Sequence, residues 1–215
     1  MIRGAVFDVD GTLLDSMEIW DTIANDYLLS LGITPRENLA ETFSTFSMQQ
    51  SAQYYREVYG VTLSCEQIID GINAMLKDFY VETVQLKPGV REFVTAMKEK
   101  GIPMILATAT EQQLICPALQ RCGILDLFDE ILTCSSVGHS KNEPDIYRIA
   151  ARHMNLDKKE IWVFEDALHA AETAARDGFH VVAVKDRSEK NQKQLKEQAD
   201  LYFEQFPVFD LSLFL

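Results

Sequence analysis

Residues 5–16 read Ala5-Val6-Phe7-Asp8-Val9-Asp10-Gly11-Thr12-Leu13-Leu14-Asp15-Ser16: a short apolar run, two carboxylates two residues apart, then a glycine and a threonine. An uninterrupted apolar run of this length suits a strand buried on both faces of a parallel sheet. Comparable runs recur at 103–107, 130–134, 161–164 and 181–184, with a sixth at 201–203. Helical patterns separate them, at 90–100, 111–121, 144–153, 167–176 and 189–198, and Gly101, Gly123 and Gly178 close three of these. Strands alternating with helices predict an α/β fold built on a doubly wound parallel sheet.

One crossover breaks the alternation. Residues 17–31 carry Ile19, Ile23, Tyr27 and Leu31 at a four-residue period before Gly32, and helical patterning resumes over 39–59 and 65–84 with Gly60 between. No strand is expected from 15 to 85. The chain therefore divides into a core, residues 1–15 and 86–215, and an all-helical cap, residues 16–85, inserted after the first strand. Hinges are expected near 14–17 and 85–89, where Lys87-Pro88-Gly89 punctuates the return. Such an insert is expected above the carboxyl edge of the sheet, closing over it during turnover.

Composition narrows the class. At 215 residues, 47% hydrophobic and 25% charged, the chain has the make-up of an ordinary globular protein. Its 33 acids against 20 bases give a net charge of −13, which disfavours nucleic acid and anionic membranes as partners. The cysteines Cys65, Cys116, Cys122 and Cys134 form no CxxC pair and read as free thiols in a reducing cytosol. No secretory leader and no membrane-length apolar run is recognised, so the expectation is a cytoplasmic protein. The apolar end at 206–215 is expected to pack on the body. A monomer is expected.

In open α/β sheets, ligands bind beyond the carboxyl ends of the strands, and there the polar residues collect. The first run ends at Asp8 and Asp10, the second at Thr108 and Ala109, the fourth at Glu165 and Asp166, and Lys141 follows the third. Asp8, Asp10 and Asp166, with Glu165 beside them, offer hard oxygen ligands suited to Mg²⁺. A carboxylate can attack phosphorus to give an aspartyl-phosphate, and a second one can protonate the leaving oxygen and then deprotonate water. The Thr108 hydroxyl and neighbouring backbone N–H groups can hold phosphoryl oxygens, while Lys141 neutralises the transferring group.

Asp8-x-Asp10-Gly11-Thr12 after a strand, Thr108 after the second, Lys141 before Pro144-Asp145 and Glu165-Asp166 after the fourth resemble the haloacid dehalogenase (HAD) superfamily. The helical insert resembles its class-1-capped branch, which includes phosphoglycolate phosphatases and β-phosphoglucomutases. The resemblance implies a Rossmannoid core with Asp8 as nucleophile and metal ligand, and Asp10 as acid/base with its carbonyl on the metal. It implies Thr108, Ala109 and Lys141 as phosphate-binding groups, Asp166 with Glu165 as the acidic metal site, and Mg²⁺ as cofactor. The substrate expected is a small phosphorylated metabolite. Ala167 and Ala170 depart from the family pattern by removing a possible extra metal contact, as does the His139-Ser140-Lys141-Asn142-Glu143-Pro144 loop in its spacing.

Blander roles attach to other residues. Asp15 is expected to cap a helix or sit in a turn, and His169 to be a solvated helix residue. In the insert, Trp20 and its only lysine, Lys77, are candidate substrate contacts. Capped mutases carry a His after the first motif and an Arg in the cap. The corresponding places here hold Trp20 and Gln49 or Gln50, so a phosphatase is preferred to a phosphomutase. A signalling receiver domain lacks the insert, and a silent binding module has no use for Asp10. No GxxxxGK[ST] motif occurs.

Overall fold

The computed structural model describes residues 1–43, 46 and 48–214. Six parallel strands form one sheet: β1 (Gly4–Phe7), β2 (Met104–Thr108), β3 (Glu130–Thr133), β4 (Ile161–Glu165), β5 (His180–Val184) and β6 (Leu201–Phe203). Their order is β3-β2-β1-β4-β5-β6. The chain steps outward from β1 through β2 to β3 and then crosses to the other side of β1, so the topological switch lies between β1 and β4. Register there pairs Val6 with Val163 and Phe7 with Phe164, and the Asp8 N–H donates to the Phe164 carbonyl at 3.0 Å. The doubly wound parallel sheet is present with all six strands.

The two faces of the sheet pack with different chemistry. Alternation sends Val6, Ile105, Ala107, Val163, Val181 and Ala183 to one face. There they meet α8 (Asp145–Met154), α9 (Leu168–Arg176) and α10 (Gln192–Gln198), through Tyr147 and Ala150, Ala171 and Ala174, and Leu195 respectively. The other face is aromatic. Phe7 stacks on Phe164 at 4.2 Å between ring centres, and Phe93 of α5 (Val90–Glu99) sets its edge against Phe164, Phe206 and Phe214. The apolar C-terminal segment thus packs on the body as expected, through Phe206 and Phe214, which are buried. Between β2 and β4 the chain also forms α6 (Gln112–Arg121) and a four-residue helix, α7 (Cys134–Val137). The sequence pattern did not show α7. It is held by reciprocal bonds between Thr133 and Ser136, a capping box too short to leave a period.

Two compact units result: residues 1–15 with 84–215, and residues 16–83. The second contains α1 (Met17–Ser30), α2 (Leu39–Phe43), α3 (Met48–Tyr59) and α4 (Cys65–Asp78), and no strand among its described residues. The helical patterning expected over 39–59 is carried by two helices, α2 and α3, and residues 44, 45 and 47 between them lie outside the described set. The helix expected over 65–84 stops at Asp78 and passes into a π-helical turn, Phe79–Thr83. This unit has its own core around Tyr27, Tyr55, Ile68 and Ile72, and the Tyr55 hydroxyl donates to the Ala24 carbonyl at 2.7 Å. Asp15 does not cap α1: it is exposed, and the N-cap position belongs to Ser16. Among the described residues, no helix is long and apolar enough to cross a membrane.

Gly89 joins the two halves of the aromatic packing. Its φ is +83°, and a Cβ built there would lie 2.2 Å from the Phe206 carbonyl oxygen. Gly89→Ala therefore meets both left-handed strain and a backbone clash. We expect a loss of about 2 kcal/mol or more, read as a fall in Tm of roughly 4–8 °C for a chain of this size. A melting temperature unchanged within 1 °C would contradict the packing described.

Candidate active site

Asp8 is the first residue past β1 and Glu165 the last of β4. Because Phe7 pairs with Phe164, the next step of the register sets Asp8 beside Glu165 at the switch point. Asp166 follows, and ligand oxygens of Asp8, Glu165 and Asp166 all lie within 4.8 Å of one another. All three side chains are buried. Into this group comes Lys141, carried by the loop between α7 and α8. Its ammonium donates to Asp8 Oδ1 and, at 2.8 Å, to Glu165 Oε1. Four of the residues singled out in the sequence thus meet directly.

Of the others, Thr108, Ala109 and Asp10 belong to the same unit, and Trp20 and Lys77 to the helical one. Thr108 ends β2, beside β1, and its buried hydroxyl oxygen accepts the Thr110 N–H at 3.0 Å. A hydroxyl that accepts one bond still has a proton to donate. Ala109 is exposed immediately after it. Asp10 is half-buried in the turn after β1, where Gly11 takes φ +80° and the backbone of Asp10 bridges to Leu14. Trp20 and Lys77 belong to the helical unit. Trp20, on α1, lines an apolar cavity of about 270 Å³ with Ile23, Phe43, Phe46, Met48 and Tyr55, and Lys77 is exposed in the last turn of α4. His169 is exposed on α9. Ala170, on the same helix, is fully buried in the core.

Two donors were not singled out from the sequence. The Thr12 hydroxyl, fully buried, donates to Asp166 Oδ1 at 3.0 Å. The Tyr147 hydroxyl, on α8, donates to Glu165 Oε1 at 2.8 Å. Tyr147 lies in the stretch 144–153 that reads as a helix, where nothing local marks its hydroxyl. Only the sheet alternation that puts Val163 and Glu165 on the α8 side could have suggested its target.

Electrostatics set the character of the group. Burial raises the Asp8 carboxyl to about 6, the Lys141 charge pulling it down and Glu165 pushing it up. Burial likewise lifts Asp166 well above the carboxylate range, with repulsion from Asp8 and Glu165 adding to it. Burial acts to lower the Lys141 ammonium, but Asp8 and Glu165 outweigh it and hold the ammonium protonated. Burial, then Glu165, keeps the Tyr147 proton in place. Three buried acids against one cation leave an excess of negative charge on clustered oxygens. That donor set, all hard oxygen and withdrawn from solvent, fits a divalent cation such as Mg²⁺ better than a softer metal.

The family model for haloacid dehalogenase-like hydrolases matches residues 5–184. Hexitol phosphatase B of Escherichia coli K12 is 31% identical over 180 residues, 81% of either chain. A phosphorylated carbohydrates phosphatase of Thermotoga maritima is 25% identical over 178 residues, 83% of this chain and 82% of its own. CbbY of Rhodobacter sphaeroides, solved in complex with phosphate, superposes with a TM-score of 0.77 over 96% of this chain and 95% of that one, at 24% identity. At that identity the likeness shows a shared fold.

Removing the one cation tests this balance. Lys141→Met leaves Asp8 and Glu165 without their partner, a change expected to cost about 3–5 kcal/mol at neutral pH. With the ammonium gone, the Asp8 carboxyl, already raised by burial, loses the charge that pulls it down and binds its proton still more tightly in the folded chain. Stability then falls as pH rises, so the deficit should shrink between pH 7.5 and 5. Urea denaturation of both proteins at the two pH values measures it, and a deficit that grows at pH 5 would contradict the charge assignment.

Proposed function

The chain belongs to the haloacid dehalogenase-like hydrolase family, and from that premise we propose that it hydrolyses a small phosphorylated carbohydrate by way of an aspartyl-phosphate on Asp8. It is a hydrolase of phosphoric monoesters, as the names of relatives such as hexitol phosphatase B indicate. The observation that carries the finer reading is the buried meeting of Asp8, Glu165 and Asp166 with the Lys141 ammonium at the switch point.

In this reading the Lys141 ammonium, the free proton of the Thr108 hydroxyl and the Ala109 N–H take the phosphoryl oxygens and fix the group in line with Asp8. An Asp8 oxygen attacks phosphorus as the bond to the leaving alcohol breaks, and Asp10 gives its proton to the departing oxygen. Water then attacks the same phosphorus, Asp10 takes the proton back, and the bond to Asp8 breaks to release phosphate. Lys141 stays protonated throughout, because it neutralises charge and moves none. Glu165, held on one oxygen by Lys141 and Tyr147, and Asp166, held by Thr12, keep fixed orientations.

Asp8, Asp166 and Glu165, with the Asp10 carbonyl, would hold Mg²⁺, which when bound offsets the charge of the phosphoryl oxygens and the acids around them. The helical unit acts as a cap, with Trp20 and Lys77 proposed to contact the rest of the substrate. Transfer to water is favoured over transfer to a sugar hydroxyl by the two relatives named as phosphatases.

Phosphate release from a panel of hexitol and sugar phosphates tests the proposal. Asp8→Asn is expected to lose at least about a thousandfold in kcat, as nucleophile removal does elsewhere. Asp10→Asn is expected to lose about 10²–10⁴-fold, the range of one acid/base group. Chelation should abolish activity and added Mg²⁺ restore it. Undiminished phosphate release by Asp8→Asn would sink the nucleophile assignment. Conversion of a sugar 1-phosphate to its 6-phosphate without phosphate release would replace hydrolysis by a mutase reaction.

A further inference from the structure

Lys87 lies at the return from the helical unit, in the Lys87-Pro88-Gly89 stretch that reads in sequence as punctuation. Its ammonium has three protons and meets three acceptors. Nζ donates to the Gly11 carbonyl, to the Lys185 carbonyl at 2.7 Å and to Asp186 Oδ2 at 2.7 Å. The Lys87 side chain is 11% exposed and that of Asp186 3%, so the pair is withdrawn from water. The backbone of Lys87 grips the same turn a second time, its N–H donating to the Leu13 carbonyl at 2.9 Å.

Asp186 is itself fixed, since its Oδ1 accepts the Ser188 N–H at 2.9 Å and its carbonyl accepts from Gln192 Nε2. It lies two residues past β5, whose neighbour β4 ends in the acids of the site. The charge of Asp186 also bears on Asp166, adding to the repulsion that lifts that carboxyl. A cation on Asp186 therefore does two things: it tethers the turn after β1 and it offsets the charge that Asp186 brings to bear on Asp166.

We infer that Lys87 is a positioning residue for phosphoryl transfer, its ammonium tying the turn that carries Asp10 and Thr12 to the end of β5. The inference rests on the phosphatase reading above. Lys87 acts through the carbonyls of Gly11 and Leu13, which bracket Thr12 and adjoin Asp10. A proton donor displaced by an ångström loses much of its effect while ground-state binding of the phosphate is little changed. The signature is therefore a fall in kcat at nearly constant KM, together with a looser turn.

The test compares wild type, Lys87→Met, the double variant Lys87→Met/Asp186→Asn and Asp8→Asn. Phosphate release is normalised to the folded fraction, and amide hydrogen exchange is followed at Leu13 and Leu14, whose N–H groups bond the Val9 carbonyl. Lys87→Met is expected to lower kcat ten- to a hundredfold with KM within threefold, and to speed exchange at both amides. The double variant leaves no buried unpaired carboxylate and is expected to melt near wild type while keeping the kcat loss, so it decides the matter if Lys87→Met does not fold. A folded double variant with kcat within twofold of wild type and unchanged exchange overturns the positioning role. If that occurs while Asp8→Asn is inactive, the inference alone fails. Phosphate release retained by Asp8→Asn overturns the phosphatase mechanism and the inference with it.

Discussion

Lys141 is bonded to two carboxylates in a place largely withdrawn from water, and a third lies within 4.8 Å of both. In such a place attraction between opposite charges is strong, but taking the charges out of water costs nearly as much. The arrangement persists only if each acid also receives hydrogen bonds from fixed donors. The sheet supplies that condition. β1 and β4 adjoin in register, so Asp8 and Glu165 emerge side by side at the carboxyl edge of the sheet. Lys141 then needs only a loop of the right length to reach them.

Rigidity at the strand ends has its own source in the packing. On one face α9 buries the small side chains Ala170, Ala171 and Ala174. Tyr147 of α8, buried in the same aliphatic layer, donates to Glu165. The other face is aromatic, Phe7 and Phe164 stacking one residue before Asp8 and Glu165 on their strands. Edge-to-face and stacked contacts of this kind fix ring positions more tightly than area burial alone. A polar cluster that destabilises the fold thus stands on two well-packed layers that offset it.

Much of this was legible in the sequence. Six apolar runs of strand length marked six strands, because a parallel sheet buried on both faces leaves no polar alternation to confuse the reading. The acids at the ends of the first and fourth runs were found because polar groups abruptly terminating apolar runs stand out locally, and Lys141 by its place in the loop after the third run, before Pro144-Asp145. Contacts between distant positions were not legible. Thr12 and Asp166 are bonded across 154 residues, and Lys87 reaches Gly11 across 76. Nothing near Lys87 distinguishes it from any exposed loop lysine. Nothing local marks the hydroxyl of Tyr147, and α7 was too short to show a period.

The pattern of donors gives these contacts a common logic. Loops at the end of a sheet are ordinarily its most mobile part, yet each acid here is held by a donor from another segment of the chain. Lys141 comes from the loop after α7, Tyr147 from α8, Thr12 from the turn after β1, and Lys87 binds Asp186 beyond β5. Cross-links between loops, more than hydrogen bonds within each loop, therefore fix the geometry. Counting formal charges, three acids and Lys141 leave 1 − 3 = −2 at the centre when all are ionised, which the raised carboxyl groups relieve only by taking up protons. A phosphate dianion entering that field meets repulsion that one ammonium does not cancel. The same excess charge that makes the site unfavourable to an isolated anion makes it receptive to a cation. Binding of the two would then be linked, each lowering the electrostatic cost of the other.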